Sequence, residues 1–229
     1  HCVLGLLALV FVAQDANALL SAITDIDSGT NEVAENSPAG KAVKIRAEAT
    51  ANSAVTYSLD DDADGRFTVD SSSGEVFTTG VELDSETSAT QVITVRASSF
   101  DINSPRMRTF TITIVDENDV APVITPGQVF NVVESATDGT SLGVVQATDG
   151  DISAAFGEVK NWRIDAGNDA DIFEIVGGTG ELRVKKDLNP GEVTVTYTLT
   201  LGTSDGSNDA LPQTVKINVG DVNDVAPVI

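Results

Sequence analysis

Carboxylates are the residues of this chain whose type and spacing could do chemistry. Asp116-Glu117-Asn118-Asp119-Val120-Ala121-Pro122-Val123-Ile124 recurs as Asp221-Val222-Asn223-Asp224-Val225-Ala226-Pro227-Val228-Ile229. Between and before these stretches stand Glu35, Asp84-Ser85-Glu86 and Asp149-Gly150-Asp151. The chain has 229 residues, 35 acidic and 13 basic side chains, and a net charge of −22. Such an excess of oxygen donors suits hard cations, calcium above all. The same balance argues against nucleic acid, because neutralising phosphates takes a surplus of Lys and Arg. A polybasic membrane-surface role fails for that reason too. One Cys excludes an internal disulfide framework and multi-cysteine zinc sites. The one His is His1, so no imidazole from a folded core is available as a general base. Paired Asp residues could serve a glycosidase. Here they come without the pattern of a second catalytic group, and no enzymatic activity is expected.

The elements that must position these acids are strands. Gln91-Val92-Ile93-Thr94-Val95-Arg96-Ala97 alternates with a period of two, as does Thr109-Phe110-Thr111-Ile112-Thr113-Ile114-Val115. Residues 193–201 and 214–219 do the same. β-branched residues dominate these runs and suit a half-buried pleated surface. Clusters of Gly, Asp, Asn and Ser separate them. Other landmarks repeat in order: Val33-Ala34-Glu35 with Val132-Val133-Glu134, and Phe67-Thr68-Val69 before Ser73-Gly74-Glu75 with Phe173-Glu174-Ile175 before Thr179-Gly180-Glu181. About seven short strands in roughly 100 residues describe an antiparallel Greek-key sandwich. The expected fold is all-β: two tandem Greek-key β-sandwich repeats, residues 19–121 and 122–229, after an N-terminal segment 1–18. That segment carries an uncharged run at 2–13, too short to span a membrane, then Ala16-Asn17-Ala18. It reads as a signal peptide.

The repeats resemble those of the cadherin family. The resemblance rests on D-x-N-D-x-A-P at the end of each unit, Glu35-Asn36-Ser37-Pro38-Ala39-Gly40, Leu83-Asp84-Ser85-Glu86 and Ala147-Thr148-Asp149-Gly150-Asp151. It covers residues 25–229 and implies three calcium ions at the junction of the two repeats. By that resemblance Glu35, Asp84, Glu86 and Asp119 hold the outermost ion. Glu35, Glu86, Asp116, Asp119 and Asp151, with the carbonyl of Glu117, hold the middle one. Asn118, Asp149, Asp151 and Asp205, with the carbonyls of Val120 and Glu158, hold the third; Glu158 stands where the family usually has Asn. Two carboxylates about 4 Å apart repel by roughly 4 kcal/mol at an effective dielectric near 20, so such a set needs cations. The implied role is calcium-dependent adhesion, with the ions stiffening the tandem repeats for homophilic cell–cell contact. The alternative is a passive stalk, or glycan- or matrix-binding repeats of a large microbial adhesin. The implied partners are further cadherin-like repeats in the same chain and another cell-surface protein, itself included, or a glycan. The implied setting is the cell surface or secreted space, as the ectodomain of a larger membrane-anchored protein.

Departures from the pattern are informative. The counterparts of Asp149, Asp151 and Asp205 in the first repeat are Ala51, Ser53 and Ser99. That end of the first repeat lacks acids to share with a preceding repeat, so it is expected to be the outermost. In the second repeat the Leu-Asp-x-Glu motif becomes Leu188-Asn189-Pro190-Gly191-Glu192, so weaker ion binding is expected there. Asp60-Asp61-Asp62-Ala63-Asp64-Gly65 imitates an EF-hand start, but Ser71 stands at its twelfth position and a strand follows, so a solvated acidic turn is expected. Gly177-Gly178-Thr179-Gly180 is expected to be a hairpin turn, and Trp162 a core residue.

Overall fold

The computed structural model describes residues 19–188 and 195–222. The signal-like segment 1–18, residues 189–192 of the altered acidic motif, and the second D-x-N-D sequence from Asn223 onward lie outside the described residues. The chain divides into two compact units, His1–Val115 and Asp116–Ile229. The described residues contain strands and turns and no helix.

The first unit runs β1 (Thr24–Asp25), β2 (Glu32–Ala34), β3 (Ala42–Glu48), β4 (Thr56–Asp61), β5 (Phe67–Val69), β6 (Glu75–Thr78), β7 (Thr90–Ser98) and β8 (Arg106–Val115). These form two sheets, ordered β1-β3-β6-β5 and β2-β8-β7-β4. The period of two is visible in burial. On β8, Phe110, Ile112 and Ile114 are buried while Thr109, Thr111 and Thr113 are exposed. Ile93, Val95 and Ala97 do the same for β7. Ile93 and Ile112 are fully buried, so truncating either to Ala should cost about 2–5 kcal/mol. Tyr57 closes the core beneath the loop after β3, its hydroxyl accepting from Ala49 N–H at 3.0 Å. β3 stays continuous along its sheet, pairing with both β1 and β6, through an irregularity between Ala42 and Arg46. Lys44 sits there at φ 58°. A bulge of this kind re-aims a side chain, and the Lys44 ammonium reaches Glu32 at 2.8 Å.

The second unit runs β9 (Val123–Ile124), β10 (Val129–Val133), β11 (Ser141–Val144), β12 (Ala147–Thr148), β13 (Lys160–Ala166), β14 (Phe173–Ile175), β15 (Glu181–Val184), β16 (Val195–Ser204) and β17 (Gln213–Gly220). Its large sheet is ordered β10-β17-β16-β13. Opposite it, the strand that is single in the first unit is divided. β11 joins β15 and β14, whereas β12 pairs with β9. Trp162, on β13, is a core residue as expected, 7% exposed against 8% for Tyr57. Gly177-Gly178-Thr179-Gly180 forms the turn between β14 and β15, with Gly180 at φ 69°. A Cβ on Gly180 would also stand 2.8 Å from the Trp162 indole, so glycine serves both the turn and the close approach.

In both units the leading strand divides its pairing. β1 runs antiparallel to β3, then β2 crosses to the other sheet and runs parallel to β8. β10 likewise runs parallel to β17.

Candidate metal site

In the first unit three of the expected ligands are set by β2 and one turn. Glu35 follows β2 directly and is 1% exposed. Its N–H donates to the Val115 carbonyl at 3.0 Å. Its Oε2 accepts from Ser85 N–H at 2.7 Å. That bond brings Glu35 to the turn carrying Asp84 and Glu86. The turn is closed by Thr87, which donates to Asp84 Oδ1 from its N–H at 2.9 Å and to Oδ2 from its hydroxyl at 2.8 Å. The Thr87 amide and hydroxyl hold the Asp84 carboxyl below its usual pKa. Ser85 donates its hydroxyl to Glu86 Oε1 at 3.0 Å. The sequence thus delivers Glu35, Asp84 and Glu86 to one region of the first unit, anchored by local donors.

In the second unit the remaining acids come from three loops. Asp116, its first residue, accepts from Ser153 N–H at 2.7 Å, tying it to the loop after β12. Val120 donates its N–H to Asp151 Oδ1 at 3.1 Å. These bonds tie Asp116 and Val120 to loops of the second unit, which begins at Asp116. Asp151 donates its own N–H to Asp149 Oδ1 at 3.1 Å. Asp205 lies just past the end of β16 and is 1% exposed. Its Oδ1 accepts from the N–H groups of Ser207 and Asn208 at 2.6 and 2.8 Å.

Asp149, Asp151 and Asp205 each offer a carboxylate oxygen within 4.8 Å of the others. Burial pushes the Asp151 carboxyl above its ordinary pKa, and the neighbouring charges of Asp149 and Asp116 add to this against the Val120 amide. Asp205 is also penalised by burial, but the Asn208 and Ser207 amides outweigh it and hold that carboxyl low. Asp149 Oδ2 and Asp151 Oδ2 are buried and, among the described residues, have no hydrogen-bond partner. A buried carboxylate oxygen left without a donor is costly. Here two such oxygens belong to an all-oxygen trio, which is the donor chemistry of calcium. The residues present therefore fit a hard divalent cation.

The remaining expected ligands are less distinctive. The Glu158 side chain is exposed, with Lys160 Nζ 3.9 Å away. Glu117 and Asp119 are exposed as well. Sequence reasoning missed Asn208. Its side-chain amide donates to the Asn118 carbonyl at 3.2 Å, to Asn118 Oδ1 at 2.6 Å and to Asp205 Oδ2 at 3.1 Å. The available signal was the run Asp205-Gly206-Ser207-Asn208, in which a short polar residue follows a tight turn. The EF-hand imitation is a turn folded on itself. Asp61 and Asp62 accept from the N–H groups of Ala63 and Gly65, and Asp60 pairs with Arg96.

Residues 22–115 match the family model for the Cadherin domain. Mouse Protocadherin-20 is 34% identical over 182 residues, covering 76% of this chain and 18% of the relative. The chain thus spans less than a fifth of that protein. Human Cadherin-15 is 30% identical over 196 residues, covering 81% of the chain and 24% of the relative. Among solved structures, the EC1-2 fragment of human Protocadherin-24 superposes with a TM-score of 0.66 at 23% identity, covering 90% of this chain and 99% of that one. Two successive β-sandwiches, the domain match and these likenesses agree, and the chain belongs to the cadherin family.

Proposed function

We propose that the chain is a calcium-binding, non-enzymatic adhesion module of a cell-surface protein. The observation that carries the calcium reading is the pair of buried oxygens without donors, Asp149 Oδ2 and Asp151 Oδ2, beside Asp205. When bound, calcium would supply positive charge that satisfies these oxygens. The residues proposed to hold it in the second unit are Asn118, Asp149, Asp151 and Asp205, with the carbonyls of Val120 and Glu158. Asp116, Asp119 and the Glu117 carbonyl, together with Glu35, Asp84 and Glu86 of the first unit, are proposed to take part in about three ions in all. Drawing the acids of both units to the same ions would turn a flexible tandem into a stiff one.

Adhesion is supported by the family and by the relatives, which bear the names of cadherins and protocadherins. The partners proposed are further repeats of the same protein and a second cell-surface copy. The test uses beads coated with the full chain in millimolar calcium. Clustering that chelator reverses, and that Asp151→Ala abolishes, is the expected result. Beads that never cluster, on a chain that calcium still protects from protease between the units, would replace adhesion with a stalk role. A chain whose protease sensitivity and melting ignore calcium would remove the metal reading itself.

A further inference from the structure

One side chain of the second unit engages oxygens of residues proposed to hold its calcium. The Asn208 amide nitrogen lies 2.6 Å from Asn118 Oδ1, 3.2 Å from the Asn118 carbonyl oxygen and 3.1 Å from Asp205 Oδ2. It thus presents hydrogens bearing partial positive charge to three oxygens. All three belong to Asn118 and Asp205, residues assigned to calcium above, and two of them are side-chain oxygens. Calcium needs its oxygen ligands at about 2.3–2.6 Å. An amide donor seated that close to the same oxygens is repelled by the ion and occupies their approach.

The rest of the trio is different. Asp149 Oδ2 and Asp151 Oδ2 have no donor. Asp205 cannot simply turn its other oxygen outward, because Oδ1 already accepts from Ser207 and Asn208 N–H groups at 2.6 and 2.8 Å. One half of the site is therefore open, and in the other half the Asn208 side chain covers oxygens of Asn118 and Asp205.

We propose that Asn208 is a built-in competitor of the cation: its amide engages Asn118 and Asp205 as an ion would, must swing away when calcium binds, and thereby weakens calcium binding while supporting the metal-free loop. The inference rests on the calcium reading. A residue that only positioned the ligands would have the opposite effect when removed, so the direction of the change decides between them.

The experiment is a calcium titration of the full chain, labelled with ¹⁵N, starting from metal-depleted buffer. It is followed at the backbone N–H signals of Gly206 and Ser207 and at the Asn208 side-chain NH₂. In the wild type the Asn208 NH₂ should begin protected from solvent exchange and lose that protection as calcium is added. Asn208→Ala should reach half-saturation at about three- to tenfold lower calcium, the equivalent of one released hydrogen bond. It should also melt lower than wild type in chelator. Asn208→Asp, which deletes the donor and adds an oxygen, should tighten binding as well, and it serves if the Ala variant fails to fold. Unchanged or weaker binding in these variants, with the wild type still titrating, overturns the competitor role and leaves the calcium reading intact. A wild-type chain whose Gly206 and Ser207 signals ignore millimolar calcium overturns both.

Discussion

The two units build the same loops from different side chains, and the contrast lies in how the polar groups are satisfied. At the positions of Asp149, Asp151 and Asp205 the first unit has Ala51, Ser53 and Ser99. There Ser53 Oγ accepts from Phe100 N–H at 3.0 Å, and Ser99 Oγ accepts from Asp101 N–H at 3.2 Å. Asp101 Oδ2 accepts from the N–H groups of Asn52 and Ser53. Two hydroxyls and one carboxylate close the network. In the second unit three carboxylates occupy the corresponding places, and two buried oxygens keep no donor. Clustered carboxylates alone are a poor guide to a cation site, for Asp60, Asp61 and Asp62 also stand together, yet they lie exposed and accept from Arg96, Ala63 N–H and Gly65 N–H. The better guide is a buried oxygen that the protein itself does not satisfy.

The comparison can be broken most forcefully by withdrawing calcium. Trp162 lies in the second unit and reports its unfolding; methyl signals of Ile93 and Ile112 report the first. At calcium a thousandfold above its dissociation constant, binding stabilises by about 4 kcal/mol. Chelator should therefore lower the Trp162 transition more than the Ile93 and Ile112 transition. Equal shifts would show that the units do not differ in this way.

Next in size is Asp151→Ala, judged in both conditions. With calcium present the variant should lose about 3 kcal/mol relative to wild type, on the scale of breaking a buried charge from its partner. In chelator it should melt at or above wild type, because a buried unpaired carboxylate has been removed. A loss of the same size in both conditions would mean that Asp151 works through its Val120 bond alone.

A graft gives a smaller effect. Ser53→Asp with Ser99→Asp places the second unit's acids beside Asp101 and removes both hydroxyl acceptors. In chelator the first unit should lose about 1–3 kcal/mol by urea unfolding. A gain would contradict the account of its closed network. The smallest effect belongs to Asp101→Ala, which strips the shared acceptor from Asn52 and Ser53. A loss of about 1 kcal/mol is expected in the same assay, and no loss would show that water replaces it fully.

Much of this was legible in the sequence. Alternation over residues 91–97 and 109–115 gave β7 and β8, because each side chain's face follows from its own position in a strand. Asp149-Gly150-Asp151 and the Ala51, Ser53 and Ser99 counterparts were readable for the same local reason. The rest depends on contacts between distant residues. Nothing in the run from Ser141 to Thr148 distinguishes a divided strand from the continuous β3, since each piece takes its identity from its partner, β15 or β9. The Asn208 bonds to Asn118 join residues 90 positions apart, and one short turn in the sequence does not reveal them. The unsatisfied oxygens of Asp149 and Asp151 are a property of packing, which a motif cannot express.

The parallel pairing of each unit's early strand with its last has a mechanical consequence. β2 and β8 lie side by side and point the same way, as do β10 and β17. Tension applied through the two ends of a unit pulls such neighbours along their length in opposite senses. Their hydrogen bonds are then loaded together in shear, and cannot open one at a time from an edge. The ladder covers three residue pairs in the first unit and five in the second. A protein stretched between surfaces would thus meet its weaker clamp in the first unit, and the second would hold the greater pull.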